Sequence, residues 1–229
     1  MQGMNAESQP SISRLILVPA VITMAVTIVR LAGELNHWSS AWFTTDMGAS
    51  ILGIVWLAPV FGIYFALRLS ASGRGPASVW RAAAFTVLGV AIILARAGIA
   101  SVVHFFFSQF NPTFHARLVF IWSVLAAAAL ATLPGWPALF KTLLAYGYAA
   151  RIPVAIIMFF AYRGHWGTHY DAVPSDYPGM SLVLTWLWLG FFPQLVFWVG
   201  FTVVSGMLFG TVAGTLTCLL RRPGSAAVP

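Results

Sequence analysis

Charge is what this chain has least of. Asp, Glu, Lys and Arg together make up 7% of its 229 residues, against roughly a quarter in a soluble domain. With 60% of residues hydrophobic, a soluble fold of this size has no way to hide its apolar surface, because its outer shell must face water. Cysteine is nearly absent as well. The single Cys218 excludes an intrachain disulfide and a multi-cysteine metal cage, and in an apolar segment near the cytoplasmic end it reads as an inert buried thiol. Enzyme signatures are missing: there is no Gly-x-Ser-x-Gly, no His-Glu-x-x-His, no phosphate-cradling glycine loop and no intramembrane aspartate pair. A long linker, a soluble domain and an internal repeat are missing too.

What remains is lipid-seeking sequence. A helix crosses the hydrocarbon core with about 20 apolar residues. Segments 13–33, 47–69, 79–107, 117–133 and 138–162 meet or approach that length. The first follows Arg14 like a secretory signal, but it ends in Arg30-Leu31-Ala32-Gly33-Glu34 without a small-x-small cleavage site, so we read a retained span. The stretch 180–220 is too long for one span and has no polar loop to divide it. Pro193 is the natural break, leaving an aromatic interfacial helix over 181–192 and a sixth span over 194–220.

Counting charges orients the bundle. With the N-terminus inside, Arg14, Arg68, Arg74, Arg81, Lys141, Arg221 and Arg222 are cytoplasmic, and only Arg117 and Arg163 are outside. That asymmetry follows the excess of basic residues in cytoplasmic loops. The expected fold is therefore all-α: a polytopic bundle of about six transmembrane helices plus one interfacial helix, both termini cytoplasmic. Residues 1–12 and 221–229 are tails around a single membrane domain, 13–220. The net charge of +7 does not indicate nucleic acid, because the basic residues are scattered singly rather than clustered into a stripe. Trp38, Trp42, Trp166, Trp186 and Trp188 outside, with Trp80 and Trp136 inside, read as interfacial belts.

Three arginines lie inside spans, where each costs at least about 2.5 kcal/mol near the bilayer centre. Arg30 has Glu34 one turn on, and Thr23, Thr27, Arg30 and Glu34 share one narrow helix face. Arg96 sits in the outer half of the third span and Arg151 near the middle of the fifth. Either these arginines snorkel and brace neighbouring helices, or Arg96 and Arg151 converge on an anionic lipid or solute, with Arg30, Glu34 and His104 near the outer mouth. The five acids are too few to neutralise all three.

All five histidines fall at or beyond the outer interface: His37, His104, His115, His165 and His169. His165, His169 and Asp171 suit zinc or copper by residue type, though ordinary interfacial polar residues are the simpler account of them. Haem between two histidines has only His104 on a span to draw on. No cofactor is required. Gly206-x-x-x-Gly210-x-x-x-Gly214 is a close-packing motif, serving the bundle itself or a second copy.

Gly135, Phe140-Lys141, Tyr146-Gly147-Tyr148 and Pro153 together resemble the Yip-domain family, whose eukaryotic members interact with Rab GTPases and which has bacterial relatives. That family carries Tyr-Gly-Tyr-Ser shortly before a Pro in a central span. Here Ala149 replaces the Ser, and the family's Asp-Leu-Tyr-Gly-Pro motif ahead of its first span is missing. The resemblance implies a non-enzymatic adaptor or scaffold and carries over no catalytic residue.

Three functions follow as expectations. The first is a structural or interaction subunit of a membrane complex, partnered by the bilayer and by other membrane polypeptides or itself. The second is a carrier or binder of an anionic lipid or solute. The third is a metal- or haem-binding subunit at the outer face. A bacterial cytoplasmic (inner) membrane is the expected location.

Overall fold

A computed structural model describes residues 11–45, 53–106 and 113–220, with backbone only at 97, 99–106 and 219–220. The described residues form helices and connecting turns: α1 (Ile12–Leu35), α2 (Leu57–Ala71), α3 (Val79–Phe106), α4 (Phe114–Thr132), α5 (Pro137–Gly164), α6 (Leu182–Thr185) and α7 (Val199–Leu220). Two π-helical segments, Trp186–Phe191 and Pro193–Trp198, lie between α6 and α7. The outward faces are apolar, with Leu17, Val21, Val87 and Leu94 all more than half exposed, as lipid requires. The molecule is a helical membrane bundle.

Local chemistry sets the helix ends. Ser11 caps α1 through the Arg14 amide, Thr113 caps α4 through the Ala116 amide, and Pro137 opens α5 at the first turn, where no amide hydrogen is needed. The second span, expected over 47–69, becomes helical only at Leu57. Residues 46–52 lie outside the described set, and the chain from Gly53 enters through a tight turn, with the amides of Leu57 and Ala58 on the carbonyls of Ile54 and Val55. At 15 residues, α2 is roughly 22 Å long, short of a 30 Å hydrocarbon core.

The division at Pro193 does not occur. The chain stays helical from Leu182 to Leu220, and there is no separate interfacial helix over 181–192. Proline breaks an α-helix because its ring meets the carbonyl four residues back and it has no hydrogen to donate. Here the π registers on both sides displace the acceptors, and the rod runs on. Trp188 and Phe192 of this rod pack on Trp122 of α4 rather than lying flat in the interface.

α7 is the centre of the bundle and touches α2, α3, α4 and α5, while α1 packs mainly on α5. Its glycines are used inside the chain. A Cβ on Gly62 of α2 would lie 2.5 Å from the Cα of Gly206, and one on Gly210 would lie 2.8 Å from the Gly62 carbonyl oxygen. Two backbones therefore meet directly, as small residues allow. Gly214 faces the Trp136 ring. Trp136 is not an interfacial belt residue: it is 1% exposed, and its indole donates to the Arg74 carbonyl over 2.9 Å. Cys218, expected to be buried, is exposed.

Candidate functional site

The polar side of α1 forms one wall of the site. Pro19, Thr23, Thr27, Arg30 and Glu34 are all buried on it, spaced three or four residues apart as a helical face requires. The Thr23 hydroxyl donates to the Pro19 carbonyl (2.8 Å) and lies 2.7 Å from the Tyr146 hydroxyl on α5. A threonine has one hydroxyl hydrogen, so the Tyr146 hydroxyl is the donor in that pair. Thr27 donates to the Thr23 carbonyl (2.9 Å) and receives Tyr170 at its own carbonyl (3.2 Å).

Toward the end that the charge count places outside, Arg30 Nε donates to Glu34 Oε1 over 2.8 Å, and Arg30 Nη2 reaches the Thr44 carbonyl. Glu34 Oε2 accepts twice from His169, from its amide (2.9 Å) and from its Nδ1 (2.7 Å). The acid side chain is fully enclosed and the Arg30 side chain nearly so. Facing a carboxylate, Nδ1 is the nitrogen that carries a proton, and Nε2 bonds to nothing among the described residues. Burial pushes this imidazole below its ordinary range; the bond to Glu34 opposes that shift, and nearby Arg30 adds to it.

The loop carrying His169 folds on itself first. His165 ends α5 in a left-handed conformation (φ 49°), and Gly167 follows at φ 68°. The Asp171 carboxylate then accepts from the amides of Gly167 (2.9 Å) and Thr168 (2.8 Å) and from the Thr168 hydroxyl (2.7 Å). His165, His169 and Asp171 therefore do not converge as metal ligands. The ring of His169 turns to Glu34, Asp171 is spent on its own loop, and His165 lines a shallow groove of about 270 Å³ with Arg163 and Asp171. Among the described residues no group of three metal-ligating side chains is present.

Arg151 lies midway along α5, roughly 20 Å from either end, and is 5% exposed. Among the described residues no acid pairs with it. Its Nη1 donates to Gln194 Oε1 over a long 3.3 Å, and its guanidinium carbon stands 4.8 Å from the centre of the Trp198 ring. Gln194, also buried, donates one amide hydrogen to the weakly accepting Met158 sulfur at 3.4 Å. Both partners belong to the second π segment, directly after Pro193. A dipole and a ring face thus meet the guanidinium where a carboxylate would be expected.

Comparisons with protein-family models, curated proteins and solved structures find no match.

The anticipated meeting of Arg96 with Arg151 does not form. α3 packs on α4 and α7, while Arg151 faces Gln194 and Trp198. Arg96 keeps its Nε buried without a hydrogen-bond partner among the described residues. His104 lies on α3, and its side chain is outside the described set. Within the motif that resembles the Yip-domain pattern, Tyr146 binds Thr23, Gly147 lets Val199 approach, and Tyr148 is exposed. Gln194, Trp198 and Tyr170 escape a reading of the sequence. Gln194 was the available signal, a lone amide inside the apolar run Phe191-Phe192-Pro193-Gln194-Leu195.

Proposed function

We propose that this chain is a non-enzymatic protein of a bacterial cytoplasmic membrane that binds a small, singly charged oxyanion of the carboxylate class at Arg151, as a carrier or a receptor. The observation that supports this reading is a buried mid-span guanidinium compensated by an amide and an indole rather than by an acid. Taking an ion out of water costs several kcal/mol even after relaxation. Intramembrane charges accordingly mark ligand pathways. Arg30 is already neutralised by Glu34 and Arg96 lies on α3, so Arg151 alone offers its positive charge at this site, which suits a monoanion. Arg151 and the Gln194 amide are donors with weak present partners, and a planar carboxylate accepts from such a fork in two places. The depth disfavours a phospholipid headgroup, which sits at the interface. Binding sites at the midplane beside an interrupted helix recur in carriers, and π segments recur at functional sites.

The test uses the protein in zwitterionic nanodiscs, with acetate, benzoate and inorganic phosphate as probes in thermal-shift and calorimetric titrations. Saturable stabilisation by a carboxylate, at least tenfold weaker in Arg151→Lys at unchanged fold, is the expected result. No saturable response to any probe, or equal binding by the variant, would overturn the reading.

A second reading, as a subunit of a membrane complex, draws on Arg96. It lies on α3, a helix with an exposed face, and its Nε has no acceptor among the described residues. A partner helix carrying an acid would supply one. Native mass spectrometry of gently extracted protein tests it: a stoichiometric polypeptide partner lost in Arg96→Ala is expected, and a lone chain overturns it.

A further inference from the structure

Residues 165–171 follow α5, on the side of Arg151 that the charge count places outside. The left-handed turns at His165 and Gly167 and the three bonds to Asp171 make the segment a preformed unit. It is inserted deeply: Thr168 and Tyr170 are 3% and 4% exposed, and Tyr170 packs with Val154, Met158, Ala161 and Tyr162 of α5. Tyr170 also lies within electrostatic reach of Arg151. Few polar bonds hold this unit to the rest of the bundle. Among the described residues they are the two from His169 to Glu34, the one from Tyr170 to Thr27, and the capping amides of His165 and Trp166 on the Ala161 carbonyl.

We propose that this segment is a cover over the Arg151 centre and that protonation of His169 releases it; the part concerning access to Arg151 rests on the anion-binding reading above. The groups facing His169 are Arg30 and Glu34 from α1 and Asp171 and Tyr170 from its own loop. Arg30 and Glu34 already form a neutral pair. A proton arriving on Nε2 adds a positive charge beside Arg30, and no acceptor among the described residues is bonded to that nitrogen. Glu34 and Asp171 favour the proton, but burial outweighs them, and the docked imidazole titrates below the free one. In the released loop His169 takes a proton near its ordinary value of about 6.5. The released state therefore binds more protons, and docking weakens as pH falls through that value, by at most tenfold per pH unit for one proton. The hinges are in place: Gly167 has open space where a side chain would stand, and Gly179, at φ 64°, lies beyond the loop.

Hydrogen exchange of the loop amides in nanodiscs at pH 7.5 and 5.5, corrected for intrinsic rates, decides the matter without any ligand. Protection of the His169 amide, which docking pairs with Glu34, should fall severalfold at the lower pH. His169→Asn, which keeps a donor for Glu34 but does not titrate, should show no such fall. His165→Asn, with asparagine tolerant of the left-handed turn, should keep it. Protection unchanged or increased at pH 5.5 in the unaltered protein would overturn the cover, as would loss of the fall in His165→Asn or its persistence in His169→Asn. Acetate and benzoate titrations at the same two pH values report separately on Arg151. A loop that responds without carboxylate binding overturns the anion reading alone.

Discussion

Glu34 on the first helix and His169 in the outer loop are 135 residues apart and joined twice, through the backbone amide and through the imidazole. That double bond converts a single carboxylate into the anchor of a whole loop. Arg30 holds the same carboxylate from within its own helix.

Glu34→Gln should therefore cost about 3 kcal/mol, the scale for stranding one member of a buried ion pair. Reversible unfolding in detergent or nanodiscs measures it. Arg30→Gln combined with Glu34→Gln should recover part of the loss, because no lone charge then remains buried. A double variant as unstable as the sum of the singles would show that the pair is not coupled.

The Tyr146–Thr23 bond ties α1 to α5, and both residues are buried. Tyr146→Phe should cost about 1 kcal/mol. Thr23→Val should cost a similar amount, and the double variant should cost less than their sum, because either change alone already removes the bond. A double-variant cycle checks this.

Close approach of α2 and α7 makes Gly62 intolerant of any side chain. Gly62→Val should prevent stable folding, since the added carbon would meet the backbone of Gly206 rather than a movable side chain. Gly98→Ala on α3, with nothing within 4 Å of the added carbon, should fold normally and gain up to about 1 kcal/mol from helix propensity. Yield and thermal midpoint after extraction separate the two.

Not every ion pair matters equally. Arg117 and Asp176 approach to 2.5 Å, but both are about half exposed. Asp176→Asn should change stability by no more than about 0.5 kcal/mol, well below the effect of Glu34→Gln in the same assay.

Much of this architecture was legible in the residues, for identifiable reasons. The spacing of Thr23, Thr27, Arg30 and Glu34 is a local property of one helix, and periodicity alone places all four on one buried face. Glycines four apart in α7 announce a close contact in the same way. Their counterpart Gly62 has no such signature, since which helix lies opposite depends on packing. The same limit separates Arg96 from Arg151: each is visible as a charge in a span, but their distance follows from helix neighbours that no spacing encodes. His169 could not be matched to Glu34, because nothing local tells a loop histidine which helix end it will meet. Pro193 misleads for a different reason. Its effect on an α-helix is predictable, yet a change of helical register removes the conflict, and that change depends on aromatic packing around Trp188 and Phe192.

The central position of α7 bears on how the protein is made. α1 through α5 precede it in the chain and so leave the ribosome first, with the Gly62 groove of α2 and the Thr86 hydroxyl of α3 still waiting for Gly206 and Thr211. Until α7 arrives, the earlier helices surround a gap rather than a core. The α3–α4 and α1–α5 contacts can form early, but the two sets of helices are joined into one core only when α7 is threaded between them.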